Sequence, residues 1–81
     1  MKTFTKQELN RILDNHKLWL STGGKKGEEA NLSNADLRNA DLSKVDLRTV
    51  NLSNADLSNA DLSNADLSYA KLNSAKLNSA K

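Results

Sequence analysis

Residues 30–79 read ANLSN-ADLRN-ADLSK-VDLRT-VNLSN-ADLSN-ADLSN-ADLSY-AKLNS-AKLNS, ten consecutive five-residue units in unbroken register, followed by Ala80 and Lys81. The third position is leucine in every unit: Leu32, Leu37, Leu42, Leu47, Leu52, Leu57, Leu62, Leu67, Leu72 and Leu77. The first is alanine in eight units and valine in two, Val45 and Val50. A fixed period of this kind marks a repeat architecture, in which no unit buries its own apolar face and neighbours must stack to do so.

The period selects the backbone. In an α-helix a five-residue step turns about 500°, so successive leucines would lie ~140° apart, scattered around the cylinder. A straight strand fails differently, because side chains five apart alternate between its faces. All ten leucines share one side only if the chain turns a corner once per unit. Alanine and leucine, two apart, then face inward together, while the Asp or Asn between them points out. The remaining two residues are turn formers and polar groups suited to the corner. Corners near a right angle close a square coil of 20 residues, and coils stack at a strand spacing of ~4.8 Å. Ten units make about 2.5 coils, a stub ~12 Å tall. Val45 and Val50 adjoin one corner and fill extra space there. Parallel crossovers favour right-handed winding.

The A-(D/N)-L-x-x pattern resembles the pentapeptide repeat family, whose members form a right-handed quadrilateral β-helix. The resemblance covers about 50 of the 81 residues. It implies an all-β solenoid over residues 30–81, with residues 1–29 as an N-terminal capping helix and linker. One departure is Lys71 and Lys76, which stand where the family carries Asp or Asn; the central leucine is kept, so the departure touches the outer surface.

Residues 1–29 do not repeat. Thr5-Lys6-Gln7-Glu8 reads as a capping box, with Phe4 and Leu9 placed as a hydrophobic staple. Leu9, Ile12, Leu13, His16 and Leu20 follow at helical spacing, with Trp19 beside them. This predicts an amphipathic helix of about 15 residues, ended by Gly23-Gly24. Lys25-Lys26-Gly27-Glu28-Glu29 forms the polar link. A solenoid end exposes unpaired backbone and bare leucines, and the helix is suited to cover it, with Trp19 as its anchor. A partner-docking helix would have a similar composition.

Composition narrows the chemistry. Hydrophobic residues are 37%, and the formal net charge is +2. Zero cysteines exclude a disulfide framework, a thiolate metal site and a cysteine nucleophile. The N-terminus MKTFTKQELN lacks an apolar signal core, and no run spans a bilayer, so a cytoplasmic protein without membrane contact is expected. On that footing the sequons at Asn31-Leu32-Ser33 and Asn51-Leu52-Ser53 read as coincidence. His16 has no evident carboxylate partner and reads as a packing residue. Tyr69 reads as a surface aromatic. Stacking by 20 residues sets Asp36 under Asp56, Asp41 under Asp61, and Asp46 under Asp66, columns that read as a solvated acidic face rather than a cation site. Lys25, Lys26 and three spaced lysines form no basic stripe, so nucleic acid is not an expected partner. No residue is assigned a catalytic, cofactor-binding or metal-binding role, and no cofactor is expected.

The C-terminal end, AKLNSAKLNSAK, runs out in register without a cover. Its open leucines, Leu72 and Leu77, point to a homodimer joined coil to coil, with edge lysines 71, 76 and 81 as the opposing feature. The expectation is a non-enzymatic structural or protein-interaction module with an unidentified protein partner. The alternative that the resemblance implies is a DNA-mimic inhibitor of a type II topoisomerase, DNA gyrase. A basic pI near 9.0 and a short rod argue against it.

Overall fold

The turn after each leucine repeats ten times with almost no variation. In every unit the leucine carbonyl accepts a hydrogen bond from the backbone N–H three residues on, from Leu32←Ala35 at 3.2 Å to Leu77←Ala80 at 3.0 Å. The fifth residue of each unit, the second of the two central turn residues, is left-handed, with φ between 59° and 66°. A left-handed residue there is the mark of a type II turn. Asparagine, which tolerates this conformation, fills five of the ten positions: Asn34, Asn39, Asn54, Asn59 and Asn64. Lys44, Thr49, Tyr69, Ser74 and Ser79 adopt the same φ, so the coil imposes the turn even where the residue disfavours it.

The computed structural model describes all 81 residues. Between turns, the second residue of one unit pairs in parallel with the residue 20 positions on: Asn31 with Asn51, Asp36 with Asp56, Asp41 with Asp61, Asp46 with Asp66, Asn51 with Lys71, and Asp56 with Lys76. Two bonds make a rung such as Asp36–Asp56: Leu37 N–H donates forward to Asp56 O at 2.8 Å, and Asp56 N–H donates back to Ala35 O at 2.9 Å. Four units therefore close one coil. The rungs are single-residue bridges rather than extended strands, as a corner in every five residues requires, and the one continuous element is a helix. With a turn every five residues, no stretch is long enough to pair as a strand.

Stacking grades the core along the axis. Leu32, Leu37, Leu42, Leu47, Leu52 and Leu57 are buried, as are Val50 and Ala55. Leu62, Leu67 and Leu72 are only partly buried, and Leu77 is 43% exposed. Each leucine layer is covered by the coil after it, and the last has none.

The helix α1, Lys6–Ser21, opens on the capping box read from the sequence. Thr5 N–H donates to Glu8 Oε1 at 2.7 Å, and Glu8 N–H donates to Thr5 Oγ1 at 3.1 Å. Phe4, Leu9, Ile12 and Leu13 face the core. At the far end Gly24 N–H bonds Trp19 O at 2.8 Å, with Gly23 and Gly24 both left-handed. Gly27 lets the link pass close under α1: a Cβ there would collide with Asn15 O.

Ahead of α1, Lys2 adds a rung that the sequence does not announce. Lys2 N–H donates to Asn34 O at 2.9 Å and Asp36 N–H donates to Lys2 O at 2.7 Å, so Lys2 pairs in parallel with Ala35, on the side of the coil that carries Asp36.

This gradient sets the cost of truncation. Leu52→Ala should destabilise the fold by about 3 kcal/mol, within the range for buried leucines, and Leu77→Ala by under about 1 kcal/mol. Chemical denaturation of the two variants measures the contrast, and equal losses would contradict the graded core.

Candidate functional site

His16 is the one buried polar side chain, fully removed from solvent. Ala30 N–H donates to its Nδ1 at 2.9 Å, and Nε2 lies 2.7 Å from Arg48 O. Because Nδ1 accepts, the ring proton sits on Nε2, which donates to the Arg48 carbonyl. Both partners are telling. In the next coil the carbonyl equivalent to Arg48 is that of Ser68, which accepts from Thr49 N–H; the N–H equivalent to Ala30 is that of Val50, which donates to Leu47 O. His16 supplies at the first coil what a preceding unit would have supplied. Its two nitrogens are thus committed to backbone, and neither is free for proton transfer.

Trp19 stacks on His16, with ring centroids 5.9 Å apart and planes 17° apart. It is not part of the core cluster. The anchor of α1 is therefore His16 with Leu13, which corrects the expectation for Trp19. No sequence signal points from His16 to Ala30 and Arg48, since both bonds go to main-chain atoms.

The six outward aspartates are each tied to their own turn. Arg38 grips Asp36 at two points (Nε–Oδ1 2.9 Å, Nη2–Oδ2 2.8 Å), and Arg48 grips Asp46 likewise at 2.9 and 2.7 Å. Asp41, Asp56 and Asp66 accept from the hydroxyl of the serine two residues on, at 2.7, 2.5 and 2.6 Å. Asp61 accepts from Ser63 N–H at 3.0 Å. These bonds stabilise the charged form and hold all six carboxyls below the ordinary range. Asp36, bonded by the Arg38 guanidinium, falls to about 2. No group of three or more His, Cys, Asp or Glu is placed to hold a metal ion, and no helix is long and apolar enough to cross a membrane.

The coil period, the left-handed turn and the leucine core recur unit by unit. The family model of pentapeptide repeats (8 copies) matches residues 28–54 and again 47–81, so that together the matches take in two-thirds of the chain, residues 28–81. The chain belongs to the pentapeptide repeat family. Such repeats form β-helical solenoids, and the parallel bridges 20 residues apart accord with that fold. Among curated proteins none matches.

Two regions of this pentapeptide-repeat chain remain without a partner inside the fold. The first is the C-terminal coil, where the N–H groups of Leu67, Leu72 and Leu77 and the carbonyls of Ala65, Ala70 and Ala75 make no hydrogen bond in the chain. Asp66, Lys71, Lys76 and Lys81 surround that end, one per side. The second is the side carrying Asn31, Asn51 and Lys71, with Tyr69 at its corner, 91% exposed. A larger groove of about 380 Å³ runs between the start of α1 and the first coil, but its Asp36 and Arg38 already satisfy each other.

Replacing His16 should therefore act through two orphaned backbone groups. His16→Leu keeps the volume roughly and loses both bonds, at a cost of about 3 kcal/mol. Hydrogen exchange at the Ala30 amide should accelerate in step with the lost stability; an unchanged Ala30 rate would refute the role.

The carboxyls fix the acid limit. Their folded pKa values lie below the unfolded ones, so the unfolded chain binds protons first as pH falls. The stability they contribute is present above about pH 4 and is lost on the way down to about pH 2. Circular dichroism across that window should show a falling melting temperature, and a flat profile would contradict it.

Proposed function

We propose that this protein is a non-enzymatic structural and protein-interaction module, a right-handed quadrilateral β-helix capped at one end and open at the other. Four turns per 20-residue coil support the four-sided form, and the chirality of parallel crossovers supports the hand. The observation that carries the functional reading is where the chemistry-bearing side chains are spent. His16 is consumed by backbone and every outward aspartate by its own turn, which leaves flat polar sides and an uncovered coil as the surfaces available to a partner. A fold that needs no cysteine suits the cytoplasm.

A second copy is the natural cover for the open coil. Stacking two C-terminal coils buries Leu72 and Leu77 and offers partners to the unpaired N–H and C=O groups in one two-fold interface. Lysines around the rim oppose that approach at low ionic strength and are screened as salt rises.

Light scattering across a concentration and salt series should give a mass near twice 8.9 kDa, with self-association tightening in salt. Exchanging Leu72 and Leu77 for Lys should return the monomer. A monomer of the unaltered chain at every concentration would overturn the dimer. The competing reading, mimicry of duplex DNA, requires inhibition of topoisomerase supercoiling; inhibition at micromolar protein would overturn the module reading.

A further inference from the structure

The site that seats His16 holds one hydrogen-bond donor and one acceptor. Ala30 N–H points at Nδ1 from 2.9 Å, and the Arg48 carbonyl lies 2.7 Å from Nε2. Neutral imidazole has one nitrogen of each kind and satisfies both. Imidazolium has two N–H donors and no acceptor, so in either orientation of the ring one of them meets the Ala30 N–H. The side chain is fully buried, and solvent does not take up the misplaced donor. A buried charge without a hydrogen-bonded partner is costly.

The groups facing the ring offer no other acceptor. On α1 these are Trp19, stacked on it, and Leu13, one turn back. From the first coil the carboxylate within electrostatic reach is Asp46, and Arg48 holds both of its oxygens. On the link Glu29 turns to Thr49 Oγ1 at 3.2 Å, while Glu28 is exposed. Asp14 and Lys17 of α1 are exposed too, beside Lys44 in a shallow pocket next to Leu13. None of these side chains bonds the imidazole.

His16 lies in the second half of α1, close to a link whose Gly23, Gly24 and Gly27 are all left-handed. The start of α1 is held separately, by the Lys2 rung and by Phe4 and Leu9 against the core. We propose that His16 is a proton-operated latch: a second proton on its ring unseats the C-terminal half of α1 and opens the capped end of the first coil around Ala30 and Arg48. Protons bind the released ring and not the seated one, so release is favoured as pH falls. Free imidazole titrates near ~6.5, so the effect begins close to neutrality, above the window in which the aspartates act. The latch stands or falls independently of any partner at the open coil.

Native-state amide hydrogen exchange on the intact protein, corrected for the intrinsic rate at each pH, reads open populations even when they are minor. Ala30 N–H reports release of the ring. Leu52 N–H, bonded to Lys71 O at 2.8 Å in the second coil, reports unfolding of the whole chain. Ala30 should open at least about tenfold more often than Leu52 at every pH. Both open fractions should rise about 25-fold from pH 7 to pH 5, because unfolding frees the ring as release does. His16→Gln keeps a donor for Arg48 O and takes no proton, so both profiles should become level within about twofold. A level Ala30 profile in the unaltered protein would show that the seated ring accepts the proton, with Asp46 as counter-ion, and would overturn the latch. Equal opening at Ala30 and Leu52 would overturn it as well, since the ring would then be freed only by unfolding. A rise that persists in His16→Gln would assign the proton to another group. The two profiles of the unaltered chain decide the matter even if the variant does not fold.

Discussion

A β-turn of four residues that reverses into a left-handed conformation is usually an isolated event, placed where one flexible residue allows it. Here the same turn recurs ten times, and the rest of the molecule depends on its regularity. Because each turn re-aims the chain by the same amount, the leucine after it always points inward and the residue before that leucine always points out. The inward set stacks into a column; the outward set stacks into rungs. The turn itself is held by one bond from the leucine carbonyl, so the residue that fills the core also closes the corner. Lysine, threonine and tyrosine are carried into a conformation they disfavour because the turn bond and the rungs that flank it along the chain leave the backbone no alternative.

A stack built this way has a defect at each end, and the two ends are handled differently. At the start, Lys2 supplies one rung, and His16 supplies two bonds that a preceding unit would have made. Imidazole suits this task because its two nitrogens, one donor and one acceptor, sit on one rigid ring and satisfy both senses of main-chain hydrogen bonding. Placing that ring beneath the coil fixes the rotation of α1, since only one helical face can present it. The C-terminal end receives nothing comparable, and its leucines lose burial step by step towards Leu77.

Most of the architecture was legible in the sequence. A five-residue leucine period is compatible with few backbones, and elimination leads from Leu32–Leu77 to a 20-residue coil. The capping box at Thr5 and the glycine stop at Gly23 were equally plain, because each is local chemistry. What could not be read were contacts to main-chain atoms far along the chain. Nothing about residue 2 marks it as a rung, and nothing about His16 names the carbonyl of Arg48. The aromatic beside it suggested Trp19 as the anchor on grounds of size, whereas two orphaned backbone groups demanded a donor and an acceptor.

The coil also obeys a screw rule. Each unit rotates the chain by a quarter turn and lifts it by about a quarter of a strand spacing, ~1.2 Å. Gaining or losing five residues upstream of a surface feature would leave the leucine column filled and the rungs intact, yet swing everything downstream through ninety degrees. Length changes in multiples of five are thus a means of re-aiming, and multiples of twenty restore the original direction at a new height. The unit count is in this sense a geometric dial: the side on which Tyr69 and Lys71 project is set by how many units precede them.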